Sequence, residues 1–491
     1  MNRPPAAAAP WCIRTHNGPW PLHDAAGSRA VEAAAMALLP AHALMQRAGQ
    51  AVARLTLAMA PHARCIRLLA GPGNNGGDAL VAARILHGAG KSVQLSLLAD
   101  PARLPADAQH ALAQAQAAGV AIDTAVEFGA DTEFAVDGLL GLGAGRPVTG
   151  ALAVAIQSLA NSGAPVLAID LPSGLNPDTG HVLGGLAVRA HATLALLTLK
   201  PGLFTASGRD HAGVVWFDDL AVDTRTAAPR AQLAGAPALP ARRHAAHKGS
   251  YGDVYVVGGA AGMTGAALLA ARAALAAGAG RVYLSLLDGQ GLSCDSERPE
   301  LMLRPQAWLL PPALLNQATV ACGCGGGSAV ASALPALLSQ AARLLLDADA
   351  LNALAGDAGL CSLLDARARR GLSTVLTPHP LEAARLLDSS SAAVQQDRLA
   401  AAQALADRHR CVVVLKGSGS VIAAPATAPL INPTGNALLA SAGTGDVLAG
   451  WMAGLWSALG DGPALPGAAA QAAVWLHGHA ADRAAQQSGA A

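Results

Sequence analysis

Residues 65–90 read CIRLLAGPGNNGGDALVAARILHGAG. An apolar run of strand length, CIRLLA, passes through a glycine-rich turn into ALVAARILHGAG, whose apolar spacing is that of a helix. GPGNNG has the GxGxxG spacing of a dinucleotide-binding turn, where glycines let the backbone approach an anion at a helix start. Asp100, at the end of the following SVQLSLLAD, stands about where an acid for the ribose is expected. The continuation NNGGD adds two amides and a carboxylate within reach of unpaired helix N–H groups, which favours a polar or anionic ligand. HGAGKS at 87–92 lacks the first glycine of a Walker loop and reads as a helix C-cap.

Outward from this unit the alternation continues. RAVEAAAMALLPAHALMQRAGQAVARLTLAM, from residue 29, is helical in period, and FAVDGLL and APVLAIDLPSG read as strands ending in turns. That rhythm is β-α-β around a parallel sheet. DTRTAAPRAQLAGAPALPAR has no clear period and reads as a linker at about 223–243. A second series follows HKGSYG: DVYVVGG, GAALLAARAALAAGAG, RVYLSLL, RLLLDADALN, STVLTPH, CVVVLKG and a helical C-terminus from Asp446. The expectation is a two-domain α/β chain divided into 1–229, with a tail over about 1–20, and 230–491.

Composition narrows the class. At 491 residues the chain is too long for one ordinary core. Hydrophobic residues make up 52% and charged residues 13%, which excludes a disordered chain. With 33 basic and 32 acidic residues and no basic run, nucleic acid is not an expected partner. Seven cysteines without a CxxC pair form neither a disulfide framework nor a zinc site, so a reducing cytoplasm is expected. Mean hydropathy is +0.36, but prolines and glycines interrupt the uncharged stretch 305–342, which reads as buried core and not as a membrane span. MNRPPAAAAPWC lacks the Leu-rich stretch of a secretory signal.

Two further turns carry glycine and aspartate: DGLLGLGAGRP at 137–147 and DLPSGLNPDTG at 170–180. In a parallel sheet all such turns share one edge, where ligands collect. Singly, Asp137 and Asp170 also fit turn-capping carboxylates. With LMQRAG and TLKPG, and over about residues 25–225, the set resembles the epimerase domain acting on hydrated nicotinamide dinucleotides, NADHX and NADPHX, a Rossmann-like three-layer α/β/α domain. The resemblance implies hydrate contacts from Asn74, Asn75, Gly76, Gly77 and Asp78, and from Gly141, Leu142, Gly143, Ala144, Gly145, Arg146 and Pro147. It implies Asp170 at the substrate and K+ near Asn75, Asp137 and Ser173. Inverting the hydroxyl-bearing carbon needs ring opening or loss and return of water, which a carboxylate assists by moving a proton, and Asp170 is the candidate. Gln46 stands where the family usually has Glu, and Ala79 where Gly is common.

A second glycine run, ASAGTGDVLAG at 440–450, sets Gly443, Thr444 and Gly445 at a helix start, where N–H groups and the dipole hold developing negative charge. An aspartate there can be a favourable first-turn charge, or the base that takes a proton from a hydroxyl attacking a phosphoryl group. The run resembles the anion hole and base of ribokinase-like kinases. Together with HKGSYGDVYVVGGAAGMTGAALLAARAAL, DADALN, LTPHPLEAARLL, VVVLKGSGSVI and NPTGN, it resembles the nicotinamide-nucleotide-hydrate dehydratase over about residues 240–486.

That resemblance implies Asp446 as base. It implies Lys416, Gly417, Ser418, Gly419, Ser420 and Gly445 at the nucleotide, and Ala267, Gly327, His379 and Asp446 at the hydrate. Mg2+ and ADP as co-substrate are implied, with ATP undistinguished. ACGCGGGS departs from the family's Gly-Pro-Gly-Leu-Gly. Asp347 and Asp349 also read as helix caps, and His379 as a partner for loop backbone.

The implied activity is repair: epimerisation of R and S hydrates, then nucleotide-driven dehydration of the S form, with homo-oligomerisation left open. Rivals at this level are a ribokinase-like small-molecule kinase and a non-catalytic N-terminal binding domain. A Rossmann oxidoreductase leaves the second half unexplained.

Overall fold

A computed structural model describes residues 10–489 apart from 16, 130, 144, 289–291, 461 and 463. The chain forms two compact units, one ending at Leu233 and the other beginning at Ala234. Both are α/β.

The strands of the first unit are β1 (Trp11–Cys12), β2 (Trp20–Leu22), β3 (Cys65–Ala70), β4 (Ser92–Leu97), β5 (Ala121–Asp123), β6 (Phe134–Gly138), β7 (Val166–Ile169), β8 (Ala192–Leu196), β9 (Val214–Asp218) and β10 (Ala231–Leu233). Eight form one sheet in the order β1-β9-β8-β7-β6-β3-β4-β5, parallel except where β1 meets β9. Because strand side chains alternate, Ile66, Leu68 and Ala70 of β3 face helices Ala43–Met59, Asn74–Gly88 and Ala106–Ala117. Leu69 faces Ala155, Ile156 and Leu159 of helix Gly150–Asn161 on the opposite side. These are the three expected layers. Since β3 is flanked by β4 and β6, the order reverses there, which opens a crevice at the strand C-termini.

The second unit contains β11 (Asp253–Gly258), β12 (Arg281–Leu286), β13 (Met302–Leu303), β14 (Thr319–Cys322), β15 (Arg343–Leu346), β16 (Ser373–Leu376), β17 (Val412–Leu415), β18 (Val421–Ala423) and β19 (Leu430–Ile431). Their order is β13-β12-β11-β14-β15-β16-β17-β18-β19, parallel through β17 and antiparallel thereafter. Helices Thr264–Ala276 and Thr444–Leu459 pack tightly, because a Cβ on Gly450 or Gly454 would overlap the carbonyls of Ala270 and Ala274.

Several expectations change. The helical stretch from residue 29 is two helices, Ala25–Met36 and Ala43–Met59, with Pro40 between them. The tail and linker contain the short strands β1, β2 and β10, of which β2 and β10 pair antiparallel. The uncharged stretch 305–342 is only partly core: β14 is buried, whereas Leu309 and Leu314 are exposed. No helix among the described residues is long and apolar enough to cross a membrane. Asp100 is no ribose acid at a strand end; β4 stops at Leu97, and the exposed Asp100 caps a turn by accepting from Ala102 N at 3.0 Å.

Candidate active sites

NNGGD is not a loop. The helix starts at Asn74, with Gly73 extended at its N-cap, so the motif forms the first turns. Its glycines are there for space: a Cβ on Gly76 would overlap the Gly71 carbonyl, and one on Gly77 would overlap Met45. Both are buried behind the wall of a cleft of about 670 Å³ at the strand C-termini. Asn74, Asn75, Asp78, 141–143, 145–147 and Asp170 line that cleft, whereas Ala144 lies outside the described residues.

Asn75 ties three turns together by donating its amide to the carbonyls of Leu140 and Ile169, each at 3.1 Å. Asp137 is fully buried and accepts from Ser173 Oγ at 2.6 Å, Ser173 N at 2.8 Å and Leu139 N at 3.2 Å. Burial outweighs these bonds and pushes its carboxyl up to about 6. Asp170 follows β7 in the left-handed region, at φ 66°. Its carboxylate accepts from Leu196 N at 3.1 Å and forms an ion pair with Lys200. Lys200, only 1% exposed, also donates to the carbonyls of Leu196 and Thr198, at 2.8 and 2.9 Å.

No role was read from the sequence for Lys200, although it sits in TLKPG; the only signal was a lysine directly after an apolar strand. Glu32 was missed as well. It lines the cleft from helix Ala25–Met36 and accepts from Asn74 Nδ2 at 3.3 Å. Arg29, on the same helix, donates to Leu142 O at 2.9 Å.

In the second unit the site gathers at the ends of β14, β15 and β17 and at the start of helix Thr444–Leu459. Gly443 is its N-cap at φ 89°, a backbone that glycine adopts freely, and the helix begins two residues before Asp446. Asp347 Oδ1 accepts from Lys416 Nζ at 2.6 Å and from Thr377 Oγ1 at 2.8 Å. Single ligand atoms of Cys324, Asp347 and Asp446 lie within 4.8 Å of one another. Burial and then Asp347 raise the Asp446 carboxyl above the usual aspartate value, while a hydrogen bond from Cys324 and the Lys416 charge work against them.

Asp347 and Asp349 are not side-chain helix caps. Asp347 is committed to Lys416, and Asp349 Oδ2 accepts from Gly327 N at 2.8 Å, fixing the 323–327 turn. The 416–420 turn relies on Gly417 at φ 139° and Gly419 at φ 62°, with Ser418 between them. Ser420 Oγ donates to Gly417 O at 3.1 Å, and buried Arg398 braces the carbonyls of Leu415 and Lys416. Gly445 lies beside Lys416, since a Cβ there would sit 3.6 Å from Nζ.

His379 is a helix N-cap: its Nδ1 accepts from Leu381 N at 3.1 Å and Glu382 N at 3.3 Å, and Glu382 accepts from its backbone in return. Its side chain is still 47% exposed. Burial and Lys416 lower its pKa below the usual histidine value, towards the neutral imidazole. Ala267 is fully buried in the apolar core, so it offers a ligand no surface.

Comparisons with known proteins divide the chain in the same way. Residues 254–491 match the family model for NAD(P)H-hydrate dehydratase, and residues 41–202 match that for the YjeF-related protein N-terminus. A bifunctional NAD(P)H-hydrate repair enzyme from Coxiella burnetii is 37% identical, with 91% of each chain covered. The corresponding Gloeobacter violaceus enzyme is 38% identical over 94% of this chain and 93% of that one. Among solved structures, an ADP/ATP-dependent NAD(P)H-hydrate dehydratase from Bacillus subtilis, co-crystallised with ATP and Mg2+, is 28% identical. It covers 50% of this chain and 85% of that one, at a TM-score of 0.38. Matched in both halves and nearly end to end by such enzymes, the chain belongs to the family of bifunctional NAD(P)H-hydrate repair enzymes.

Proposed function

We propose that the first unit interconverts the R and S hydrates of NADH and NADPH, and that the second dehydrates the S form at the expense of ADP, giving AMP and phosphate. The observation that carries this reading is that each unit has its own charged site on its strand ends, Asp170 with Lys200 in one and Asp347, Lys416 and Asp446 in the other.

In the second site the hydrate's hydroxyl gives its proton to Asp446 as its oxygen attacks the terminal phosphorus of ADP. The anhydride bond breaks and AMP leaves. Lys416 and the N–H groups at Gly445 bear the charge that develops on the transferring group. Phosphate then departs from the ester with its bonding electron pair, a neighbouring ring proton is lost, and the ring double bond returns. The 416–420 turn holds the nucleotide, and Gly327 and His379 are proposed to face the hydrate.

The residues fit the implied metals. Asp137 is a buried carboxyl with oxygen donors around it and no cationic side chain paired to it among the described residues, which suits K+ held with Asn75 and Ser173. When bound, K+ offsets that charge. For the Mg2+ that accompanies nucleotide phosphates, Asp347 and Asp446 offer hard oxygen ligands, whereas the Cys324 thiol is too soft to serve. When bound, Mg2+ offsets phosphate charge.

The test supplies mixed R and S hydrate with Mg2+, K+ and either ADP or ATP, and follows reduced-nicotinamide absorbance and phosphate release. Recovery of both epimers faster than spontaneous epimerisation supports both units and identifies the donor. A stable phosphate ester without recovered absorbance refutes the dehydratase reading in favour of an ordinary kinase.

A further inference from the structure

Four carboxyl groups line the first unit's cleft, and three have partners: Glu32 has Asn74, Asp107 has His42, and Asp170 has Lys200. Asp78 is the exception, with no hydrogen bond or ion pair to its carboxyl among the described residues. It is 9% exposed, and that exposure opens into the cleft from the second turn of helix Asn74–Gly88. A carboxyl with no protein partner is left to what the cleft holds, solvent or a ligand, and that is where Asp78 keeps its small exposure.

We infer that Asp78 is a catalytic residue of the epimerase cleft, donating the proton with which the hydrate's hydroxyl departs, in partnership with Asp170. The inference rests on the epimerase reading of that cleft. The charged groups acting on Asp78 are Asp170, Glu32 and Asp107; of the cations that also line the cleft, Lys200 is committed to Asp170 and Arg29 donates to the Leu142 carbonyl. Burial first and these three carboxyl groups after it raise the Asp78 carboxyl well above the usual carboxylate range, the direction that favours its proton-bearing form. A proton-bearing carboxyl beside one paired with lysine is how a single site separates acid from base.

The step balances. The hydroxyl oxygen takes the Asp78 proton as the C–O bond breaks and leaves as water with the bonding pair. The ring-nitrogen lone pair closes a C=N bond, and Asp78 remains as carboxylate. Water then adds to the opposite face, the C=N pair returns to nitrogen, and the spare proton passes to Asp170. Transfer of that proton from Asp170 to Asp78 through water restores the start.

The experiment follows R-to-S conversion of NADHX by chiral chromatography in the full chain, without nucleotide, so that the second unit is silent. Asp78→Asn is expected to lower the rate by about 10² to 10⁴. It should leave S-hydrate dehydration unchanged and the melting temperature unchanged or higher. The wild-type rate should fall on the alkaline side as Asp78 loses its proton, and the variant's residual rate should not. Conversion by Asp78→Asn within twofold of wild type, or a surviving alkaline fall, overturns the inference. If that variant does not fold, the wild-type profile decides: no alkaline fall overturns it. An inactive Asp170→Asn beside an active Asp78→Asn overturns this inference alone, whereas a wild type no faster than spontaneous epimerisation overturns the epimerase reading with it.

Discussion

Lys200 buries its ammonium against the carboxylate of Asp170, thirty residues earlier in the chain, on the wall of the first unit's cleft. Two carbonyls from the same turn complete the lysine's donors, so the pair is held from both sides. Asp170 adopts a left-handed backbone to reach it, at a cost of about 1 kcal/mol for a residue with a Cβ.

Lys200→Met should therefore be costly twice over. Removing one member of a buried pair typically costs about 3 to 5 kcal/mol, because the other charge stays behind uncompensated. The first unit's melting temperature should drop and epimerisation should disappear, while the double variant Lys200→Met with Asp170→Asn should recover part of the stability. Thermal unfolding of the wild type and the two variants decides the matter; a Lys200→Met chain as stable and active as wild type removes the pair from the site.

Asp446→Asn keeps the shape of the second site and removes its base. Dehydration should fall by about 10² to 10⁴, the usual contribution of a positioned base. ADP binding, measured by calorimetry, should stay within a few-fold of wild type, since Lys416 and the 416–420 turn are untouched. Near-normal phosphate release from the variant would assign the proton transfer elsewhere.

Much of this was legible because long elements announce themselves. CIRLLA, DVYVVGG and CVVVLKG are apolar runs ending in glycine-rich turns, and all three are strands, the first and last of which lead into the sites. The short strands β1, β2 and β10 span two or three residues, too few for a period-two pattern to emerge. What the turns hold was harder to read. Asp347 looked like a cap because its sequence neighbours begin a helix, yet its partner Lys416 is 69 residues away. Lys200 and Glu32 lie outside the glycine-aspartate turns on which the reading relied, and only the packing of helix Ala25–Met36 and the turn after β8 brings them to the cleft.

Two glycines of GPGNNGGD, three residues apart, predict opposite outcomes. Gly76→Ala must push the helix away from Gly71, because its Cβ would overlap a backbone oxygen that cannot move independently. Loss of ~1 to 3 kcal/mol or more, as at other overpacked sites, and loss of epimerisation are expected. Gly73→Ala meets no atom within 4 Å and has an ordinary extended backbone, so stability should change little. Denaturant midpoints of the two variants check the contrast; equal midpoints would contradict the close approach at Gly76.

Asp137 links potassium to pH. Its carboxyl titrates at about 6 when folded against 3.8 unperturbed, so the folded chain holds this proton more tightly than the unfolded one. The resulting stabilisation is fully present below pH 3.8 and is lost as pH rises through about 6. At about 1.4 kcal/mol per unit, the loss amounts to about 3 kcal/mol. A cation beside the ionised carboxylate reverses the loss but has little charge to offset once the group is protonated. Potassium chloride should therefore raise the first unit's melting temperature more at about pH 7.5 than at about pH 5, relative to equal tetramethylammonium chloride. An equal increment at both pH values would mean that potassium acts away from Asp137, and no increment at the higher pH would remove the ion from this site altogether.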